Sequence, residues 1–297
     1  MTVTTGRARG KAPSAARQKD EESAATVGYV TAGVLLSLLF VLPLLWAVLR
    51  SFQQPTLVAQ APSMRDFTNL TLANYRGLIG GTIHILRNVV NSLIVAAGTG
   101  VLTAILATLA GYGFARFRFR GAGVVFALII VTLMVPFQAI LTPLFMELNA
   151  MHLTNSLLGL VFFYTTFNLP FGVFVMRNTF ATIPKEIEES AYLDGASPIS
   201  TLVRVLGALV APGIATTVLY AFLFAWTEFL GALTFITQTG KLTLPVALLN
   251  VETGAYGQVN FGYLIAGAVI AMVPCVILYV ALQRYYVRGL TSGALKT

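Results

Sequence analysis

A chain of 297 residues that is 57% hydrophobic and only 10% charged falls far short of the roughly 25% charged residues of an ordinary soluble domain. That composition excludes a water-soluble globular protein and indicates an all-α polytopic membrane protein. The formal net charge of +8 fits Lys and Arg gathered in cytoplasmic segments better than a nucleic-acid surface, and a single cysteine, Cys275, excludes an intrachain disulfide framework.

Residues 1–26 are small and charged, with Arg7, Arg9, Lys11, Arg17 and Lys19 before Asp20, Glu21 and Glu22; this composition predicts a disordered cytoplasmic tail. Residues 27–87 hold a first span and an outer loop. The apolar run Val27–Leu49 is about the length a spanning helix needs, roughly 20 residues. No small-residue cleavage site closes it, so it reads as a retained span with Pro43 as a possible kink. Arg50–Arg87 is polar and turn-rich, and Leu72-Ala73-Asn74-Tyr75 opens a short helix. His84 has no partner in sequence and reads as a surface or interfacial residue, and His152 falls in a short outer turn, Asn149–Asn155.

Residues 88–283 carry five further spans. The second, Asn88–Phe114, is rich in Gly, Ala and Thr, which let helices approach closely in lipid. Arg116, Arg118 and Arg120, alternating with Phe, mark a cytoplasmic turn and an interface anchor. The third, Gly123–Leu148, is interrupted by Pro136, Gln138 and Pro143; helix breakers are tolerated where neighbours or water satisfy the freed backbone. The fourth, Ser156–Met176, has Tyr164, Thr165, Thr166 and Asn168 at its middle. The fifth, Pro212–Ile236, contains Trp226 and Glu228. A carboxylate in a span costs about 2.5–3.5 kcal/mol on insertion scales unless it meets water or a partner. Gln138, Tyr164, Asn168, Trp226 and Glu228 are therefore candidate pathway residues, with helix packing, or a partner on a second subunit for Glu228, as the open alternative. Thr237–Asn260 is an outer loop, Phe261–Leu282 is the sixth span, and residues 284–297 form a cytoplasmic tail. Both termini are then cytoplasmic.

Between the fourth and fifth spans lies the one long acidic interruption, 183–206. Pro184 opens a helix with Glu186, Glu188 and Glu189 at its positive end. Asp194-Gly195 stops it, and Ser197-Pro198 caps a second helix. Ile199, Leu202, Val203 and Leu206 form one apolar stripe. This predicts a helix–Gly turn–helix outside the bilayer core.

The string Glu189-Ser190-Ala191 followed by Asp194-Gly195-Ala196-Ser197 resembles the cytoplasmic loop of permease subunits in binding-protein-dependent ABC importers, where Glu-Ala-Ala is followed by Gly. Ile183-Pro184-Lys185-Glu186 also fits. Ser190 departs from the second position, and Gly207-Ala208 stands where Leu-Pro closes the pattern, which weakens the expected kink after the loop. The C-terminal run Gln283–Lys296 resembles that of the carbohydrate branch of that family. The resemblance covers about residues 28–297 and implies the type I ABC importer permease fold with six transmembrane helices in a prokaryotic cell membrane. It implies a homologous permease subunit, two ATPase subunits that use ATP and Mg, and an extracytoplasmic solute-binding protein. Glu186, Glu189, Ala191, Asp194, Gly195 and Ala196 would meet the ATPase, with Ala191 and Gly195 small so that its surface can come close. Arg288, Gly289, Ser292 and Gly293 in the tail would reach between the ATPase subunits. This chain itself binds no cofactor or metal on this reading: it has no phosphate loop and no metal-ligand spacing. The expected solute is a mono-, di- or oligosaccharide. The alternatives are a same-fold permease for a sugar phosphate, polyol, amino acid, peptide or polyamine, and, from another class, a membrane-embedded enzyme, for which no nucleophile and base converge.

Overall fold

The computed structural model describes residues 15–54, 58, 70–81, 83–254 and 259–294, with side chains placed from residue 26 to residue 283 within those ranges. Residues 1–50 and 51–297 form two separate compact units. The described part of the first lies in helix α1 (Ala15–Ser51), whose last residue belongs to the second. Its side chains from Val27 to Leu45 are exposed all round, as suits a helix whose surroundings are lipid or other spans. The helix begins at Ala15, inside the stretch whose composition predicts disorder. Apart from Asp20 and Ser23, Ala15–Ala25 consists of Ala, Arg, Gln, Lys and Glu, which are strong helix formers, so propensity extends the helix beyond the span. Residues 1–14 of that predicted tail lie outside the described residues.

The second unit runs through α2 (Ala73–Gly80), α3 (Ile85–Arg116), α4 (Ala122–Val131), α5 (Leu141–Ala150), α6 (Leu157–Ala181), α7 (Glu186–Leu193), α8 (Pro198–Thr227), α9 (Leu230–Phe235), α10 (Leu244–Glu252) and α11 (Phe261–Ala294), with no strand among the described residues. Among the described residues, five helices, α1, α3, α6, α8 and α11, are long and apolar enough to cross a membrane, and α4 with α5 makes a sixth if the bent pair is one span.

That pair corrects the predicted third span, because its halves meet at 98°. Pro136 is the cause. It has no N–H for a helical bond, and it pushes Val135 out of the helical region to φ −76°, ψ 119°. Short 3-10 turns, Thr132–Met134 and Phe137–Ile140, carry the chain through the bend. The predicted fifth span differs at both ends. Pro212 sits inside α8 without ending it, so the second helix of the acidic segment and the span are one rod with a π segment at Thr201–Leu206. At the other end Glu228 is extended, φ −67°, ψ 133°, and α9 starts afresh. The predicted outer loop contains α10. The predicted C-terminal tail is helical as far as Ala294, continuous with the sixth span; residues 295–297 lie outside the described residues.

The small-residue seam of α3 organises the packing. Ala96, Gly100, Ala104, Ala107 and Gly111 are buried at spacings of three and four. Gly98 lies against Val161, and Gly111 against the Met176–Arg177 backbone, so α3 and α6 run parallel. Gly213 faces Thr179 and Gly172 faces Thr217, so α8 runs antiparallel to α6. A side chain at Gly172 would meet Ala107, Thr103 and Thr217 together: three helices converge on one missing Cβ. At the far end from α7, the predicted short helix is α2, and Asn74 staples it by donating to the Ser51 and Gln53 carbonyls at 2.9 and 2.8 Å.

Candidate functional site

Two places gather the residues singled out by sequence. The first is the elbow between α7 and α8. Glu186, Glu188 and Glu189 occupy the first turn of α7. Its end is a Schellman cap: Ala196 N–H donates to the Ala191 carbonyl and Gly195 N–H to the Tyr192 carbonyl, both at 3.0 Å, with Gly195 at φ +83°. Ser197 then caps α8, its Oγ accepting from Ser200 N–H at 3.3 Å, with Pro198 in the first turn. All of these caps follow the predicted pattern.

The two faces of α7 have different fates. Inward, Glu188 is 5% and Ala191 8% exposed, and Ile183 and Ile187 pack on a cluster containing Met176, Phe180, Leu202 and Leu206. Ala191 is thus turned towards its own chain. The Glu188 carboxylate accepts from Arg116 Nε and from the Tyr112 hydroxyl, the latter at 3.3 Å. Arg116 Nη2 also donates to the Ile183 carbonyl at 3.0 Å, and the Tyr112 and Tyr192 hydroxyls lie 3.1 Å apart. Outward, Glu186, Glu189, Ser190, Asp194 and Gly195 are exposed, and Ala196 is half-buried. Ser190, the departure from the Glu-Ala-Ala pattern, donates its hydroxyl to the Glu186 carbonyl at 2.8 Å and so needs no outside partner. Leu193, Ile199 and Val203 are 89%, 75% and 68% exposed. The predicted stripe is therefore split: Leu202 and Leu206 point in, and Ile199 and Val203 point out. The wide π turn, bonded i to i+5, spreads positions that an α-helix would align.

Sequence reading missed Glu188 and took Arg116 only as a turn marker. The available signal was an Arg in the last turn of one helix and an acid on the inner face of another at the same end of the bundle. Arg288, Gly289, Ser292 and Gly293 fall on the helical backbone of α11, and their side chains lie outside the described residues.

The second place is a pair of adjacent helix breaks. The Phe137 ring, just after Pro136, packs 5.4 Å from Phe163 and 6.4 Å from Phe224, and its edge would lie 3.3 Å from a Cβ on Gly231 in α9. The bend in the third span thus abuts the break in the fifth. Gln138 is exposed there. Glu228 is half-buried and reaches back over the start of α9: it accepts from Leu230 N–H at 2.7 Å, Gly231 N–H at 3.0 Å and the Tyr164 hydroxyl at 2.5 Å. Tyr164 is fully buried, and Asn168, 1% exposed, donates to the Tyr164 carbonyl at 2.7 Å. Trp226, 2% exposed, donates its indole N–H to the Ala271 carbonyl of α11 at 3.0 Å. The structure therefore brings Tyr164, Asn168 and Glu228 together, leaves Gln138 at the neighbouring break, and commits Trp226 to a contact between helices. Among the described residues, no group of three or more His, Cys, Asp or Glu side chains could hold a metal ion.

Residues 100–292 match the family model described as a binding-protein-dependent transport system inner membrane component. The trehalose/maltose transport system permease protein MalG of Thermococcus litoralis is 30% identical over 277 residues, covering 93% of this chain and 99% of the relative. The trehalose transport system permease protein SugB of Mycobacterium tuberculosis is 32% identical over 86% of this chain and 92% of its own. The diacetylchitobiose uptake system permease protein DasC of Streptomyces coelicolor is 32% identical over 89% and 94%. A chain in the crystal structure of a bacterial ABC transporter involved in the import of the acidic polysaccharide alginate superposes with a TM-score of 0.74 at 21% identity, over 89% of this chain and 98% of that one. With its multi-pass helical fold, its acidic elbow and these matches, the chain belongs to the family of inner membrane components of binding-protein-dependent transport systems, the permease subunits of ABC importers.

Proposed function

We propose that this chain is one permease half of an ATP-driven carbohydrate importer, with both termini and α7 on the cytoplasmic side of a prokaryotic cell membrane. The observation that carries the reading is the outward face of the α7–α8 elbow. It is a small knob, acidic at Glu186, Glu189 and Asp194 and apolar at Leu193 and Ile199, and it is anchored from behind. It lies at the end of the bundle where Arg116, Arg118 and Arg120 cluster, the end favoured for the cytoplasm. An ATPase subunit docks on this knob. Its basic or polar groups meet Glu186 and Glu189, an apolar hollow takes Leu193, and Gly195 and Ala196 let its surface come close.

ATP and Mg act in two such ATPase subunits. A homologous permease subunit pairs with this chain, and an extracytoplasmic solute-binding protein delivers the solute. The end of α11, with Arg288, Gly289, Ser292 and Gly293, extends towards the ATPase pair. Closure of the ATPases on ATP draws α7 along, and the spans rock so that the site between the two permeases opens to alternate sides. The adjacent breaks at Pro136 and Glu228 supply the pathway wall: Gln138 and Glu228 stand nearest the solute, with Tyr164, Asn168 and Trp226 supporting the wall from behind. Broken spans beside a pathway are a recurring device in transporters.

The carbohydrate class rests on the trehalose, maltose and diacetylchitobiose named for the relatives. Cells lacking this chain should lose uptake of at least one labelled sugar among trehalose, maltose and chitooligosaccharides, and regain it when the chain is restored. Unchanged sugar uptake with loss of amino-acid or peptide uptake would overturn the carbohydrate reading.

A further inference from the structure

The chain connects α7 directly to only two spans. Thr182–Lys185 ties it to α6, and Asp194–Ser197 ties it to α8. The third central helix, α3, has no such link, yet its last turn grips α7 at two points. Arg116 donates from Nε to Glu188 and from Nη2 to the Ile183 carbonyl, so one guanidinium holds both the start of the connection and the helix itself. Tyr112, one turn earlier on the same face of α3, donates to the other Glu188 oxygen. Its ring is wedged by Phe180 at 5.3 Å and Phe117 at 5.7 Å between centroids. The Arg116 and Glu188 side chains are 8% and 7% exposed, so salt and water screen the pair little. Immediately beyond, Gly111 seats α3 directly on the backbone of α6.

We infer that Arg116, Glu188 and Tyr112 are positioning residues that form a strut, making α3 a direct output of any displacement of α7. Without the strut, α7 is held to the bundle only by its inward packing and its two short chain connections, and part of the ATPase stroke is lost before it reaches the seam. With it, α7, α3 and α6 move as one body. None of the three residues lies on the outward face of α7; besides Glu188, Tyr112 meets that helix at the Tyr192 hydroxyl, 3.1 Å away. The inference rests on the reading of that outward face as the ATPase dock.

The test uses the full complex with its partner permease and ATPases, reconstituted in liposomes with the solute-binding protein. Arg116→Gln and Glu188→Gln should still assemble and hydrolyse ATP. The ATP used per solute imported should rise roughly tenfold, the scale at which residues along a coupling network act. The swapped pair R116E/E188R should recover part of that loss. If the singles only reduce the amount of complex, leaving the ATP-to-solute ratio of what remains unchanged, the strut is refuted; a swap no better than either single also counts against it. A second measurement leaves the strut untouched. In a Cys275→Ala background, spin labels at Lys185, beside the start of α7, and Leu109, both exposed, should keep one separation in the nucleotide-free and ATP-bound states. A change of more than about 5 Å, one helical turn, overturns the proposal whatever the variants do. An ATPase that fails to copurify with the unmodified chain would instead remove the docking reading, and the strut with it.

Discussion

Removing the carboxylate of Glu228 discriminates between a group that serves the solute and one that holds the break in the fifth span. In the structure it accepts hydrogen bonds from Leu230 N–H, Gly231 N–H and the Tyr164 hydroxyl. Loss of a helix-capping side chain costs about 0.5–2 kcal/mol. The Tyr164 hydroxyl, left without an acceptor in a fully buried position, adds about 1–3 kcal/mol. Hydrogen bonds within membrane proteins average only about 0.6 kcal/mol, which pulls the sum towards its lower half, so Glu228→Ala should cost about 1.5–3 kcal/mol. Glu228→Gln keeps an oxygen over Leu230 and Gly231 and can donate its amide to Tyr164. It loses only the charge assistance, about half of each bond, and should cost about 1 kcal/mol. The double variant E228A/Y164F should be little worse than E228A, because removing the hydroxyl removes the orphan. The assay is the melting temperature of the purified complex in detergent beside sugar uptake in cells. The expected order of melting is wild type, then E228Q, then E228A, with uptake following stability. If E228A melts like the wild type while uptake disappears, the carboxylate acts on the solute and the capping argument fails.

Gly195 has φ +83° with open space around it, so Gly195→Asp pays only backbone strain, about 1–2 kcal/mol, and should leave the spans folded while abolishing uptake; normal uptake with normal ATPase assembly would sink the docking idea. Leu193→Glu should leave the melting temperature of the isolated chain unchanged and reduce ATPase copurification, since the side chain touches little of its own chain. Gly111→Val would set a Cβ 2.6 Å from the Met176 Cβ and 2.7 Å from the Arg177 nitrogen. No rotamer relieves a clash with backbone, so overpacking of about 1–3 kcal/mol should appear as lower melting and lower yield; wild-type melting would show that the seam yields more easily than its geometry suggests.

Local chemistry was legible in the sequence, and long-range pairing was not. Gly195, Ser197 and Pro198 act on the backbone within a few residues of themselves, and the caps they form are the ones their positions predict, whereas Pro184 stands just before the helix it was expected to open, which starts at Glu186 behind Lys185. The glycines and alanines of α3 advertised close packing for the same reason. Pro136 was visible as an interruption, but a proline in a span can kink it or break it outright, and only its neighbours decide; here it bends the path by 98°. Pro212 made the opposite outcome, lying inside an unbroken helix. Arg116 and Glu188 are separated by 72 positions, and nothing near either residue names the other. Trp226 was open between pathway and packing because an indole suits both a sugar ring and a helix seam; its hydrogen bond to Ala271 ties it to the seam.

The π turn at Thr201–Leu206 lets two independent seats coexist on one rod. The position of α7 is dictated by Arg116, and that of α8 by its contacts at Gly172 and Gly100. Nothing obliges these anchors to be in helical phase. A segment bonded i to i+5 holds one residue more than the α turn it replaces, so it takes up the mismatch as a vernier does. Deleting one of its residues should let it close as ordinary helix with both seats kept. The same deletion further along, at Ala215, has no such slack and would swing α7 by about 100° around the axis, away from Arg116. Homologous chains can therefore gain or lose a residue at this turn without losing the alignment of knob and bundle, and at few other points along that helix.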